Sequence, residues 1–198
     1  MSSEHNHSRR FVMSALASLP LIGRSAGAAE DGTRMRGVGS RTLVAYFSRS
    51  GNTRVVAGLI QRGLRADLFE ILPATPYPED YLQTVEQARK ERDSGYEPTL
   101  SGKVANMEAY NTVFLGFPIW GETAPPVILA FLSAHELSGK TLIPFVTHGG
   151  FGLGKSRSAL AGHAPRARML RGFSMQADQE RRTMERVTSW LDAASKPA

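Results

Sequence analysis

The chain has 198 residues, of which 41% are hydrophobic and 21% charged, as suits one soluble globular domain with an appendage. It has no cysteine, which excludes disulfides, Cys-ligated zinc, iron–sulfur clusters and thiol catalysis. The net charge is +6, and beyond residue 29 it comes from 21 Lys/Arg against 17 Asp/Glu. No Lys/Arg run is interleaved with aromatics, so no nucleic-acid partner is expected.

Residues 1–29 read as an export signal. Ser8-Arg9-Arg10 is basic, Phe11 to Ile22 is a short apolar run, and Ala26-Gly27-Ala28 offers an A-x-A cleavage site. The run is too short to span a bilayer, so no stable membrane insertion is expected once it is cleaved. The paired arginines resemble the twin-arginine signal of bacteria, which implies a periplasmic or otherwise exported protein that leaves the cytoplasm already folded. Phe11 follows the pair directly, where that motif usually leaves one variable position; an ordinary secretory signal or an anchor is the alternative. His5 and His7 have no further ligand nearby, and no metal site is expected. Residues 30–40 are Gly-rich and charged, a linker composition, and 41–195 form the domain.

Within the domain, Thr42–Phe47 is a continuous apolar run, the pattern of a strand buried on both faces. Asn52–Leu64 has helical spacing, with Val55, Val56, Leu59 and Ile60 apolar. Ala66–Leu72 is a second strand, and Pro73 to Pro78 breaks the chain. Glu79–Arg92 is a helix whose Tyr81, Val85 and Ala88 share one face. Thr112–Phe117 is the third strand, and Pro125 and Pro126 open a helix to Ala134. Thr141–Thr147 is the fourth strand and Lys155–Ala161 a helix. Arg168–Phe173 is a short fifth strand. Gln176–Ala194 closes the chain as a helix with Met184, Val187 and Leu191 inward. This alternation predicts an α/β fold with a doubly wound parallel sheet and helices on both faces. Ligands of such sheets sit beyond the carboxyl ends of the strands, so the loops after Phe47, Phe117 and Thr147 are the candidates.

The first loop is Ser48-Arg49-Ser50-Gly51-Asn52-Thr53. Hydroxyls, a glycine and an amide at a helix start suit an anion, because N–H groups and the helix dipole converge there. The second carries Pro118-Ile119-Trp120-Gly121, with an indole placed to stack on a flat ligand. The third runs Thr147-His148-Gly149-Gly150-Phe151-Gly152, and its glycines let backbone approach a ring closely. Continued through Leu153-Gly154-Lys155-Ser156, it also matches the P-loop pattern G-x-x-x-x-G-K-[ST]. An ATP-binding reading would need a magnesium-holding Asp at another strand end, and none is present.

Strand-Ser-x-Ser-Gly-Asn-Thr-helix resembles the FMN phosphate loop of the flavodoxin-like family, and the resemblance spans about residues 42–192. It implies the five-stranded sheet order 2-1-3-4-5 and FMN as cofactor. Ser48, Ser50, Asn52 and Thr53 would hold the phosphate by side chain or backbone; Arg49 and Gly51 would act through N–H. Pro118-Ile119-Trp120 resembles the Pro-Ile-Trp-Trp loop of one subgroup, with Gly121 in place of the second Trp and Trp120 left as the stacking residue. The third loop would meet the flavin edge, with His148 in place of the usual Ser, either as a proton donor or as a supporting polar residue. Pro76 to Tyr81 resembles a segment that roofs the site in that subgroup. No side chain need be catalytic. The implied function is electron transfer with a redox partner protein or a quinone-like small-molecule acceptor. An NAD(P)H-dependent quinone or flavin reductase, often a homodimer, is the alternative. A module that has lost its cofactor ranks lower.

Overall fold

The structure, a computed structural model, describes residues 41–150, 152–176, 187 and 189–193. The export signal and linker expected over 1–40, Met184 and Phe151 lie outside the described residues.

Among the described residues the strands and α-helices follow in order: β1 (Thr42–Tyr46), α1 (Asn52–Leu64), β2 (Asp67–Glu70), α2 (Tyr81–Ser94), β3 (Thr112–Pro118), α3 (Pro126–Ser133), β4 (Thr141–His148), α4 (Ser156–His163), β5 (Arg168–Met169) and β6 (Phe173–Gln176). All strand pairs are parallel, in the order β2-β1-β3-β4-β5, with β6 also on β4. Residue 187 and residues 189–193 are helical. Among the described residues no helix is long and apolar enough to cross a membrane.

The central strands are apolar on both sides because both sides are covered. Leu43, Ala45 and Phe47 join Val113, Leu115 and Phe117 under Val127, Ile128 and Phe131 of α3. Val44, Tyr46 and Phe114 face the other way, onto Val56, Ala57 and Ile60 of α1 and onto Val187. Val55, grouped by spacing with the inward residues of α1, is 45% exposed.

The expected fifth strand, Arg168–Phe173, is two segments on the same edge of β4. β5 pairs with Thr141 and Leu142, and β6 with Phe145 to His148. The break lies opposite Pro144. The Lys140 and Leu142 carbonyls bond Arg168 and Leu170 on this side, so Pro144, two residues on, turns the same way with no N–H to offer.

The chain departs from β1 toward β2 on one side and β3 on the other. That reversal opens a crevice at the carboxyl end of the sheet. Three backbone bonds fix the crevice rim: Phe47 N–H to the Gly116 carbonyl (2.9 Å), Ile71 N–H to the Tyr46 carbonyl (2.7 Å) and Ile119 N–H to the Thr147 carbonyl (2.9 Å).

Candidate functional site

The first loop turns between β1 and α1. The Ser48 hydroxyl accepts the Gly51 N–H at 3.1 Å, closing a small turn. Gly51 stands at the N-cap of α1 with φ 92, and no side chain caps the helix. Among the described residues, the N–H groups of Ser50, Asn52, Thr53 and Arg54 meet no acceptor. An uncapped thirteen-residue helix with free donors and an exposed Ser50 is a seat for an anion. Ser50 and Asn52 face the cavity described below. Thr53 does not: it is 1% exposed, and its hydroxyl meets that of Thr147 at 2.8 Å, tying the first loop to the third. Arg49 donates to the Glu79 carbonyl and lies 6.0 Å from the Tyr81 ring centroid, fastening the first loop to the start of α2.

The second loop contains a two-residue turn. Trp120 and Thr123 exchange both backbone hydrogen bonds, at 3.0 and 3.2 Å, around Gly121 (φ 56) and Glu122 (φ 68). A Cβ on Gly121 would lie 2.2 Å from Nη1 of Arg92, so the guanidinium occupies the space that a side chain at this position would enter. Half-buried Trp120 stands edge-on to Phe47 (centroids 5.3 Å) and to Tyr77 (4.9 Å). Tyr77 donates to Oε2 of buried Glu91 at 2.8 Å. Burial first, and then the Glu91 carboxylate, hold the Tyr77 hydroxyl far above its ordinary range, so it stays a donor.

The third loop leaves β4 at His148. Nδ1 of His148 accepts the Gly150 N–H at 3.0 Å, and Nε2 lies 3.1 Å from the Ser174 hydroxyl. The acceptor role of Nδ1 places the neutral ring's proton on Nε2, toward Ser174. His148 thus braces the loop and also lines the cavity described below. Gly150 and Gly152 have φ 146 and 63, and Gly149 has open space where a side chain would stand.

The P-loop match has a packing explanation. A Cβ on Gly154 (φ 50) would lie 2.2 Å from the Glu122 carbonyl oxygen, which also accepts the Lys155 N–H at 2.7 Å. Lys155 is exposed, and Ser156 is fully buried with its hydroxyl unpartnered. These residues buttress the second loop, and none of them lines the cavity.

Together the three loops bound a cavity of about 390 Å³, within the usual range for small-molecule sites. Of the expected site residues, Arg49, Ser50, Asn52, Pro118, Ile119, Trp120, Gly121, Thr147, His148 and Gly149 line it. Ser48, Gly51, Thr53, Gly150 and Gly152 are not on its wall. Sequence reasoning missed the opposite wall. Thr84, Val85, Ala88, Arg89 and Arg92 of α2 line the cavity with Tyr81. Of the residues expected to share one face, Tyr81 and Val85 are 67% and 46% exposed; the buried residues of α2 are Thr84, Ala88 and Glu91. The signal lay in the stripe 81–85–88–89–92, apolar at its start and cationic at its end, which no core face would be.

The sequence model of the flavodoxin family matches residues 41–194. No curated protein matches the chain significantly. Two similar crystal structures are of proteins assigned as flavoproteins. The one from Bacteroides eggerthii is 32% identical, with 79% of this chain and 98% of that chain covered and a TM-score of 0.68. The one from Bacteroides uniformis is 30% identical, with 78% and 99% covered and a TM-score of 0.69. A flavoprotein from Lactobacillus acidophilus, solved in complex with FMN, is 20% identical, with 73% and 97% covered and a TM-score of 0.60, a likeness of fold.

Proposed function

The chain belongs to the flavodoxin family, and from that premise we propose that it holds FMN in the three-loop cavity and transfers electrons through it. The observation that carries this is the pairing, in one cavity, of an uncapped helix start at Ser50–Asn52 with an aromatic wall at Trp120. The residues fit the group. The free N–H groups of the α1 start would take the phosphate with the Ser50 hydroxyl, and Arg49 would add charge beside it. Ile119 and Trp120 would cover the ring, and the open backbone at Gly149 would approach its edge. FMN would supply one- or two-electron transfer; the protein contributes burial, orientation and nearby charge.

A second reading, an NAD(P)H-dependent reductase of small molecules, draws support from the open apolar side of α2. Tyr81 and Val85 line the cavity yet remain exposed, leaving room for another planar ligand. The basic pair Arg9-Arg10 and the apolar run after it support export of the folded protein to the periplasm.

Titration of the purified domain with FMN, followed by visible absorbance, tests the reading. One equivalent should bind with a dissociation constant below about 1 µM, or ~8 kcal/mol. A protein that binds no FMN would overturn it. Oxidation of NADPH with a quinone present then separates reductase from carrier.

A further inference from the structure

The cavity has two cationic poles, and one phosphate accounts for only one of them. The first pole is Arg49 beside the start of α1, where the first loop touches Tyr81. The second is Arg89 and Arg92, eight and eleven residues further along α2, which is about 12 to 16 Å along the helix axis. Among the described residues that line the cavity there are three arginines and no carboxylate. Asp93 is the nearest acid, 3.6 Å from Nε of Arg89 and 3.3 Å from Nη2 of Arg92. Those separations exceed a charge-assisted hydrogen bond, and Glu86, the other acid that interacts with Arg89, is paired with Lys90 at 2.8 Å, so the pole keeps a net positive charge. Glycine at 121 leaves room for the Arg92 guanidinium, since a Cβ there would lie 2.2 Å from its Nη1. Between the poles lie the exposed Tyr81 and Val85.

We propose that the Arg89–Arg92 pole, with Tyr81 and Val85, is the binding site for the electron acceptor, and that this acceptor is a planar aromatic molecule carrying an anionic group, such as an acidic quinone. The site rests on the FMN reading above. The guanidinium groups take the acceptor's carboxylate or sulfonate, and the apolar stretch of α2 takes its ring. In the balanced step two electrons and two protons pass from fully reduced FMN to the quinone. Its two carbonyls become hydroxyls, and FMN is left oxidised. The described wall is cationic, which suits an anionic partner and repels a basic one.

Anthraquinone-2,6-disulfonate and uncharged menadione are the probes. FMN-loaded protein is photoreduced without oxygen and mixed with each in a stopped-flow instrument, alongside R89Q/R92Q and R89K/R92K. The double glutamine variant should bind FMN as before and lose at least about tenfold in rate toward the disulfonate. Its rate toward menadione should change less than about twofold, and the lysine variant should recover most of the loss. About 0.5 M salt should reproduce the glutamine effect in the unmodified protein. Equal slowing toward both probes, or no change toward either, overturns the proposal. If FMN fails to bind, the FMN reading itself has failed. The anion site is then tested alone, by tryptophan fluorescence with the disulfonate added to FMN-free protein. Binding that is lost in R89Q/R92Q sustains the site; binding that is not lost overturns it.

Discussion

The two ends of this sheet are built from the same strands and treated in opposite ways. At the amino end the described connections carry several hydrogen bonds. Nζ of Lys140 donates to the Tyr110 carbonyl at 2.6 Å, and the Tyr110 hydroxyl donates to Asp67 at 2.8 Å. The backbones of Arg41, Asn111 and Thr141 are bonded in series. His135 is bonded on both ring nitrogens, to the Val104 N–H and the Phe131 carbonyl. At the carboxyl end, free N–H groups, open glycines and exposed apolar side chains gather around a cavity. Stability is concentrated where polar groups are satisfied, and binding where they are left waiting.

The sharpest way to break that division is Ser50→Asp. An added carboxylate at the anion seat should weaken FMN at least about 100-fold, or ~3 kcal/mol, in an absorbance titration. Because Ser50 is exposed, the melting temperature of the FMN-free protein should move by less than about 2 °C. Thr53→Val probes the buried hydroxyl contact between the first and third loops. It strands the Thr147 hydroxyl, so unfolding should become easier by about 1–3 kcal/mol. FMN affinity should fall too, by about tenfold. Unchanged affinity would show that the loops are set independently. Ser156→Ala removes a buried hydroxyl without a partner and should raise stability by about 1 kcal/mol in urea, with FMN binding unaltered. A loss of ligand binding there would restore the P-loop reading.

The smallest effect belongs to the closed end. Burial first, with Lys103 adding to it, lowers the proton affinity of His135, and the Phe131 carbonyl opposes them. The folded state therefore binds this proton less readily than the unfolded chain. Its contribution is complete above about pH 6.5 and is lost as pH falls below that value. In denaturant titrations across this range, the fall should be steeper in the unmodified protein than in His135→Gln.

Most of the frame was legible because β1, β3 and β4 are buried on both faces, and their unbroken apolar runs leave no other reading. The three loops were legible because Gly, Ser and Asn at strand ends serve packing poorly. Two things escaped. Periodicity found the face of α2 that carries Tyr81 and Val85 but could not tell a core from a cavity, since both favour apolar side chains. The split between β5 and β6 depends on Pro144, which is distant in sequence and acts only once the strands are neighbours.

That split also bears on how the protein behaves in company. The edges of the sheet are β2, with four residues, and the interrupted pair β5 and β6, with two and four. Asp67, Glu70 and Arg168 place charges along them. Among the described residues, a stray chain seeking to extend the sheet would find edge strands of two and four residues. The missing amide of Pro144 thus does its work outside the molecule, as a guard against edge-to-edge aggregation in crowded solution.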